Sequence, residues 1–414
     1  MYNFFKYSII IFIVFILSFY IPKGYKNFFE KNIGKTYLFF SPVLKKFVFR
    51  EMTGEGHQFI TEDEDGNSLT RKEYESAIPF IFYKNMDIWG KLPLKIDGKT
   101  YDKEFIKSHR QIFQLTPKML PENHPRVPIY PLLESRPERA RLMFPENSFM
   151  FTDKEMLFIN SDFNKKDEKL TSLFTSALLQ NGFKFPAKKV FGKVTILKPF
   201  DEGYFVLDND ENLFHIKKIK GNPFIKNTQV KIDSGIRFIK VIENKKRKYY
   251  GFIVSNSGDI YFLTYKNYSV IKLPVKYYNP ETMDLKVILN PVVNTIIYSD
   301  DKNVYGVALD KEFNAVKRYK KLMFSGKETT SEKVFSYLFP FYIKDKNENS
   351  NYMAFRFFLT KNFGFAGTIL SLLLGVLIFS GEKYSLKKRK VEFVFIALTG
   401  IYGIIAILLN GTQD

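Results

Sequence analysis

Two uncharged apolar runs near the end of the chain constrain its fold more than any other feature. They cover residues 364–380 and 393–409, and each is near the lower end of the about 17–25 residues that a membrane-spanning helix needs. The short segment between them carries Lys383 and the basic run 387–390 against two glutamates. Positive charge in a short loop marks the cytoplasmic side of a membrane. We therefore predict a transmembrane hairpin over residues 363–410, with its basic loop inside and the preceding chain outside the cytoplasm.

The first segment of the chain predicts a third membrane helix. An uncharged run covers residues 7–21 and is followed by Pro22 and Lys23. No small-x-small cleavage site follows it, so we interpret residues 1–24 as an uncleaved anchor rather than a signal peptide. The three predicted transmembrane helices place the protein in a bacterial cytoplasmic (inner) membrane. Most of the chain, from about residue 25 to about residue 360, is then extracytoplasmic.

The charge and cysteine counts exclude several classes of protein. The formal net charge of +20 is typical of nucleic-acid binding, but the predicted topology places most of this charge in a compartment without nucleic acid. The lysines are dispersed, and we interpret them as a compositional habit; attraction to anionic lipid or polymer stays open as the alternative. The chain has no cysteine, which excludes disulfides, thiolate metal sites and cysteine nucleophiles.

A loop near the start of the extracytoplasmic part resembles a calcium-binding loop. Asp63, Asp65 and Gly66 fit three positions of that pattern. The first position is Thr61 and the twelfth is Lys72, so a cation would lack its terminal bidentate ligand. We therefore interpret this loop as a turn, without a metal.

Residues 25–115 predict a small region of mixed α and β structure. Thr70 and Glu73 have the spacing of a capping box for a helix that begins at Arg71. A second short helix is predicted around residues 103–113.

Seven prolines interrupt residues 116–145. So many fixed φ angles and missing N–H donors exclude a long helix or a central strand, and we predict a connector with a domain boundary. The stretch LLESRPERARL inside it contains acidic and basic residues. We interpret it as a solvated surface whose charges pair with one another, rather than as a site.

The sequence repeats over residues 146–325. The stretches FMFTDKEMLFI, FVLDNDENLFHI, FIVSNSGDIYFL and IIYSDDKNVYGV each have an apolar strand, a polar turn and a second apolar strand. Aligned on Met156, Leu213, Ile260 and Val304, they recur after 57, 47 and 44 residues. Propeller blades recur at about 40–50 residues. We therefore predict a mainly β extracytoplasmic domain of propeller-like or twisted meander repeats, with Leu213, Ile260 and Val304 at equivalent buried places.

Three further interpretations complete the organisation of the chain. The long first interval contains TSLFTSALLQ, which predicts an inserted helix. The acids of the repeat turns, Asp208, Asp210, Asp300 and Asp301, are interpreted as turn formers rather than ligands. The aromatic and polar residues 326–362 are interpreted as a linker to the hairpin.

A search for chemistry finds no motif of a hydrolase, a metalloprotease or a phosphate-binding loop. The four histidines are His57, His109, His124 and His215. We expect His215 to be structural and half-exposed, since alternation places it opposite its apolar neighbours. A metal or haem site built from the other three remains the alternative to no metal. We predict no catalytic residue, no metal and no cofactor, and a protein that is not an enzyme.

Several stretches, FFSPVLKKF, DGNSLTRKEYESAIPFIFYKNM, FGKVTILKPFDEGYFVLDNDENLFHIKKIKG and GVALDKEFNAVKRYK, resemble a family of uncharacterised bacterial membrane proteins that contain a domain of unknown function. The resemblance covers most of the chain, and it establishes no catalytic residue. It implies a gene neighbourhood shared with ABC-transporter components, and by that association an accessory role in the envelope.

We therefore expect a non-enzymatic accessory subunit of a bacterial envelope membrane assembly, associated with an ABC transporter. Its β domain would present a face for protein or ligand binding. The expected partners are the lipid bilayer and the permease and ATPase subunits, and not nucleic acid. The alternative is an independent envelope receptor or enzyme that acts on a small molecule or polymer and needs a convergent polar pocket. Small residues at helical spacing in the hairpin, Ser371 with Gly375 and Thr399 with Gly403, suggest a face for a partner helix or packing of the hairpin against itself.

Overall fold

The computed structural model describes residues 2–30, 34, 36–54, 58–123, 125–327, 329–345, 355–360, 364–379 and 390–410. They form two compact units, each described by itself. The helical unit comprises Met1–Thr36, Glu51–Ile60 and Leu322–Asp414, and the β unit comprises Tyr37–Arg50 and Thr61–Lys321. The basic loop residues 383–389 and the histidines His57 and His124 lie outside the described residues.

The described α-helices, in chain order, are α1 Tyr2–Phe29, α2 Arg71–Ala77, α3 Tyr83–Ile88, α4 Lys103–His109, α5 Glu168–Gln180, α6 Thr330–Leu338, α7 Gly364–Phe379, α8 Lys390–Thr399 and α9 Ile401–Leu409.

The described strands, in chain order, are β1 Tyr37–Phe40, β2 Phe47–Met52, β3 Phe59–Asp63, β4 Leu94–Ile96, β5 Lys99–Tyr101, β6 Gln111–Leu115, β7 Tyr130–Pro131, β8 Asn147–Phe151, β9 Met156–Asn160, β10 Lys165–Lys166, β11 Lys189–Gly192, β12 Tyr204–Leu207, β13 Leu213–Ile219, β14 Asn222–Asn227, β15 Ile236–Val241, β16 Tyr249–Ser255, β17 Ile260–Thr264, β18 Val270–Lys272, β19 Asp284–Leu289, β20 Asn294–Ser299, β21 Asn303–Leu309, β22 Ala315–Leu322, β23 Phe341–Asp345 and β24 Phe355–Leu359.

The β unit is built mainly from small antiparallel sheets. Four of them are meanders of four consecutive strands each: β7–β10, β11–β14, β15–β18 and β19–β22. The last meander gains a fifth strand, because β6 pairs with β19 and places Leu115 opposite Leu285. Smaller sheets, β1–β2–β3 and β4–β5, come from the first part of the chain.

The sequence repeats correspond to equivalent hairpins. Each repeat stretch forms the second and third strands of one meander, as in β12–β13 and β16–β17. Met156, Leu213, Ile260 and Val304 each lie at the start of a third strand, and all four are buried. The alignment of the repeats is therefore confirmed.

The meanders pack face to face. One apolar cluster lies between the first two and includes Phe149 and Val206, with α5 packed beside it. A second cluster joins the second and third meanders, and a third cluster joins the third and fourth. Along β12, Tyr204 and Val206 enter one cluster, whereas Phe205 and Leu207 enter the next. The inner strands therefore have two buried faces, which explains why they read as continuous apolar runs.

Several local predictions can be compared with the structure. Thr70 and Glu73 form the capping box of α2, which begins at Arg71 as predicted. The calcium-like loop is a turn, in which the Asp63 carboxylate accepts hydrogen bonds from the backbone N–H groups of Asp65 and Asn67. The inserted helix is confirmed as α5.

The helix predicted around residues 103–113 was too long. It ends at His109 as α4, and residues 111–115 form β6 instead. The burial of β6 alternates strictly along its five residues, as is typical of a strand.

The helical unit has its own apolar core, which includes Ile10, Phe335, Ile396 and Tyr402. Within this unit Lys6 donates to Glu392 at 3.2 Å. The Tyr402 hydroxyl donates to the Phe341 carbonyl at 2.8 Å. These contacts tie α1, α8, α9 and β23 together.

The prediction of three transmembrane helices is wrong. Among the described residues, only α1 is long and apolar enough to cross a membrane, with 26 residues from Phe4 to Phe29 and a mean hydropathy of 2.3 in its most apolar part. A signal sequence would have the same properties. Helix α7 has 16 residues, fewer than the about 20 that a span requires. The last apolar run breaks at Gly400, whose φ of 62° separates α8 from α9.

The small-residue face of α7 is used inside the chain. Gly367, Ser371 and Gly375 are buried, and a Cβ atom at Gly375 would lie 3.0 Å from the Ile396 side chain of α8. The larger apolar residues, such as Leu377, face outward instead. The structure therefore favours packing of the hairpin residues against one another. The predicted domain boundaries stay predictions.

Candidate functional site

Strand β13 positions two adjoining polar features of the β unit. Successive side chains of a strand point to opposite faces of its sheet. His215 and Lys217 lie on one face and belong to a buried polar network, whereas Lys218 lies on the other and lines a pocket. Ser135 connects the two features, because its backbone N–H donates to the Lys218 carbonyl and its hydroxyl lies 3.5 Å from Asp201.

Lys198 is the centre of the buried polar network. Its ammonium donates to Asp201 Oδ1 at 2.5 Å and to Glu243 Oε1 at 2.6 Å. The side chains of all three residues are at most 3 % exposed. Backbone N–H groups complete the arrangement, since Gly203 donates to Asp201 and Glu202 donates to Glu243, both at 3.0 Å. The buried ammonium thus has two anionic partners, and each carboxylate also accepts a hydrogen bond from a backbone N–H group.

Glu202 extends the network towards the third meander. Its carboxylate accepts hydrogen bonds from Lys217 at 2.7 Å and from the Tyr265 hydroxyl at 2.8 Å. The Tyr265 ring stacks on Tyr250 at a centroid distance of 3.8 Å. Burial raises the pKa of Tyr265, with a further contribution from Glu202, so the phenol stays a donor at neutral pH.

His215 is fully buried, and the expectation of half exposure was wrong. The alternation argument fails because both faces of this meander are covered. Nε2 lies 2.6 Å from the Glu202 carbonyl, and Nδ1 lies 2.9 Å from the Tyr268 hydroxyl. Since a carbonyl only accepts, Nε2 carries the proton and Nδ1 accepts from Tyr268. Burial, with the nearby Lys217 charge, lowers the pKa of His215 from 6.5 to about 3. The imidazole is therefore neutral and structural.

The network is closed to solvent. Burial raises the pKa of Asp201 and of Glu243, although Lys198 lies against both. Glu243 Oε2 accepts no hydrogen bond from the described residues, and Lys193 Nζ lies 4.0 Å from it. The burial of these carboxylates and their bonds to Lys198 and to backbone N–H groups indicate a structural role.

The pocket beside the network has a volume of about 530 Å³. We call it the basic pocket. Its lining comes from the proline-rich segment and from the turn between β13 and β14: Glu134, Arg136, Pro137, Glu138, Arg139, Arg141, Leu142, Met143, Phe144, Pro145, Lys218, Lys220 and Gly221.

Glu134 holds the two sides of the basic pocket together. Its carboxylate accepts the backbone N–H groups of Lys220 at 2.7 Å and of Gly221 at 3.0 Å. Lys220 and Gly221 have φ values of 50° and 79°, which directs both N–H groups of this tight turn to one point. A third N–H, from Arg136, donates to the same carboxylate at 3.1 Å.

The stretch LLESRPERARL is a solvated surface as predicted, since Arg136, Arg139 and Arg141 are exposed, but the predicted mutual pairing of its charges is not found among the described residues. The Glu134 carboxylate accepts hydrogen bonds from backbone N–H groups rather than from the arginine side chains. Among the described residues, no carboxylate lies within 4.0 Å of a charged nitrogen of Arg136, Arg139 or Arg141. The Arg139 guanidinium contacts the Met143 sulfur instead. The segment therefore presents cations without counterions, beside partly exposed apolar side chains.

Of the three other histidines, only His109 lies in the described part of the chain. His109 is half-buried at the end of α4 and stacks on Phe105. Within the described part of the chain, no group of three or more His, Asp or Glu residues has the arrangement of a metal site. Asp208 and Asp300 accept backbone N–H groups of their own turns, as expected of turn formers.

Sequence reasoning missed the network and the pocket. A signal for the network was available in KPFDEGYFVL, where Lys198, Asp201 and Glu202 directly precede a fully apolar strand. Charged side chains that directly precede a buried strand need ion-pair or hydrogen-bond partners when they are buried with it. Glu243 joins them from a distant position, which no local pattern predicts.

Comparisons with known proteins identify one family. A family model described as a domain of unknown function, DUF4857, matches residues 37–309. That description states no activity, membrane location or transporter association. No curated protein matches the chain. Among solved structures, PorZ, a bacterial surface component of the type-IX secretion system of Porphyromonas gingivalis, matches at 9 % identity over 69 % of this chain and 27 % of that one, with a TM-score of 0.21. So low a TM-score carries no argument about fold or function.

Proposed function

The chain belongs to the DUF4857 family of domains of unknown function, and because that family has no stated activity, we propose from the geometry that the protein is a non-enzymatic binding subunit of a bacterial envelope membrane assembly. In this proposal the β unit receives an anionic ligand in the basic pocket. The observation that carries the proposal is the set of arginines without counterions in that pocket. The chain has 63 basic and 43 acidic residues, so single unpaired cations are expected on its surface, but the convergence of five basic side chains on one pocket favours an external anion.

The state of the buried acids supports a non-enzymatic role. A hydrolase needs an accessible nucleophile with a base, or two carboxylates beside the substrate. Asp201, Glu243 and His215 are instead buried and bonded to other groups of the chain. The basic pocket offers mainly cations and apolar contacts, which can bind and orient an anion.

The apolar surface of α1 supports anchorage in a lipid bilayer. The helix would be about 39 Å long at about 1.5 Å per residue, enough to cross the about 30 Å hydrocarbon core. Phe4 and Phe12 are 72 % and 64 % exposed. Exposure of these apolar side chains to water is unfavourable, and burial in lipid removes that exposure. With this anchor in the inner membrane, the β unit would lie outside the cytoplasm. We propose for it an open, propeller-like stack of the four meanders.

The resemblance found in the sequence supports an ABC permease and its ATPase as the assembly partners. The test is purification of the tagged full chain from bacterial membranes in mild detergent, with α1 alone on the same tag as control. We expect a permease and an ATPase to elute with the full chain and not with the control. Elution of the full chain alone, after cross-linking in intact cells, would refute the subunit proposal and favour an independent envelope receptor that uses the same pocket.

A further inference from the structure

We propose that the basic pocket binds a phosphate group carried by a small apolar body. This deepens the proposed function, on which it rests, because it names the ligand class of the same pocket. The volume of about 530 Å³ lies within the range of about 300–1,000 Å³ that is typical of small-molecule sites. The structure thus offers room for a headgroup and part of an apolar moiety.

The charge of the lining selects an anion with more than one negative charge. The lining contains five basic side chains and two acidic ones, a formal net charge of +3. One of the two acids, Glu134, is already satisfied by backbone donors. A carboxylate ligand would neutralise one positive charge, whereas a phosphate monoester carries about −1.5 to −2 at neutral pH. The phosphate therefore matches the lining better.

The donor types in the pocket agree with this choice. Arg136, Arg139 and Arg141 present planar guanidinium groups, which bind phosphate oxygens in pairs. Lys218 and Lys220 add point charges to the same lining. Burial lowers the pKa of Lys218, which Glu134 and Asp201 only partly offset, so an anionic ligand would stabilise its charged form.

The apolar part of the ligand is indicated by Leu142, Met143 and Phe144, which follow the arginines directly in the chain. Leu142 is buried, whereas Met143 and Phe144 are 58 % and 54 % exposed at the pocket. A ligand with an aromatic ring or a short alkyl chain would cover them while its phosphate meets the guanidinium groups. A free phosphorylated compound and a phospholipid headgroup share this chemistry.

The experiment uses the full chain in a non-ionic detergent at about 0.15 M salt, where surface attraction is screened beyond about 8 Å. Titration calorimetry with phenyl phosphate tests the free compound, and dihexanoyl phosphatidic acid tests the lipid headgroup. Benzoate and dihexanoyl phosphatidylcholine are the matched controls for charge and for the apolar body. We expect saturable binding of one or both phosphate probes, at least about tenfold tighter than their controls.

Variants locate the site. The double variant Arg139→Gln/Arg141→Gln should weaken phosphate binding by about tenfold or more for each guanidinium lost. A matched variant of exposed lysines elsewhere in the β unit, Lys169→Gln/Lys231→Gln, should bind as the unmodified protein does. If the double variant does not fold, Lys220→Gln replaces it, and its binding should weaken as well.

Three outcomes would overturn the proposal: no binding of either phosphate probe, equal binding of benzoate and phenyl phosphate, or equal loss in the pocket variant and the lysine control. Each of these outcomes leaves capture of the permease and ATPase unaffected. Failure of the ligand class is therefore distinguishable from failure of the subunit proposal.

Discussion

Acidification should destabilise the β unit through His215. Its pKa falls from 6.5 to about 3 on folding, because burial disfavours the charged ring. Between these two pKa values the imidazole binds a proton in the unfolded chain but not in the folded chain. The stabilisation of the folded state by the neutral imidazole is therefore fully present above pH 6.5 and is lost as the pH falls. Each pKa unit corresponds to about 1.4 kcal/mol. Acidification to about pH 4.5 should therefore lower the free energy of unfolding by about 3 kcal/mol through this residue alone.

The variant His215→Gln isolates this contribution. Glutamine can still donate a hydrogen bond to the Glu202 carbonyl, but it does not titrate. At about pH 7.5 we expect the variant to be less stable than the unmodified protein by about 1–3 kcal/mol, since it loses the stacking of the imidazole on Phe205 at a centroid distance of 4.3 Å. At about pH 4.5 the difference should vanish or reverse, because only the unmodified protein carries the penalty of about 3 kcal/mol.

The assay is urea unfolding of the full chain in detergent, followed by fluorescence. The sequence contains one tryptophan, Trp89, and it lies in the β unit, so the signal reports on the unit that contains His215. Other groups also titrate between the two pH values, but they do so equally in both proteins, and the difference between the two cancels them. A stability difference that stays constant between the two pH values would refute the buried neutral imidazole.

Three other predictions concern separate features. Lys198→Met should lower the free energy of unfolding by about 3–5 kcal/mol near neutral pH, because it leaves two buried carboxylates without their cation. This loss should shrink on acidification, since the pKa values of both carboxyl groups are raised and these groups take up protons first. An unchanged loss at about pH 5 would contradict this reasoning. Ile260→Ala should lower the free energy of unfolding, measured by chemical denaturation, by about 2–5 kcal/mol. Lys266→Ala, at an exposed position, is the control. A loss below about 0.5 kcal/mol for Ile260→Ala would show that this repeat position is not a filled core site. A cysteine introduced at the exposed Ser257 should react with an impermeant reagent in intact spheroplasts, without background because the chain has no cysteine, and protection from the reagent would overturn the proposed topology.

Local patterns predicted the elements whose physics is local. The repeated hairpins were found because each has a polar turn between two apolar strands, and the capping box at Thr70 because side chain and backbone meet within one turn of helix. The histidine in β13 was misjudged for the opposite reason. Its exposure depends on whether a second sheet covers that face, and no single strand contains this information.

The membrane prediction failed where composition was taken for length. The run at residues 393–409 is as apolar as a spanning helix, yet Gly400 allows a positive φ and the helix breaks there. A Cβ atom at this position would also lie 2.7 Å from the Pro340 side chain. The basic pocket was missed because its arginines and its anchoring turn lie about 80 residues apart in sequence. The parallel bridge between Glu134 and Lys218 and the hydrogen bonds of the Glu134 carboxylate to the turn bring them together.

The pairing of β6 with β19 has a consequence for how the protein is made. Leu115 and Leu285, which face each other across this pair, are 170 residues apart in the chain. During synthesis β6 emerges long before its partner, and closure of so long a loop makes the fourth meander the slowest part of the unit to complete. Until β19 has been synthesised, β6 lacks its partner strand and has an open edge that can pair with another chain. The ribosome-bound protein therefore passes through a stage in which three meanders can fold while the fourth depends on a strand synthesised far earlier, and that stage is the one most exposed to aggregation.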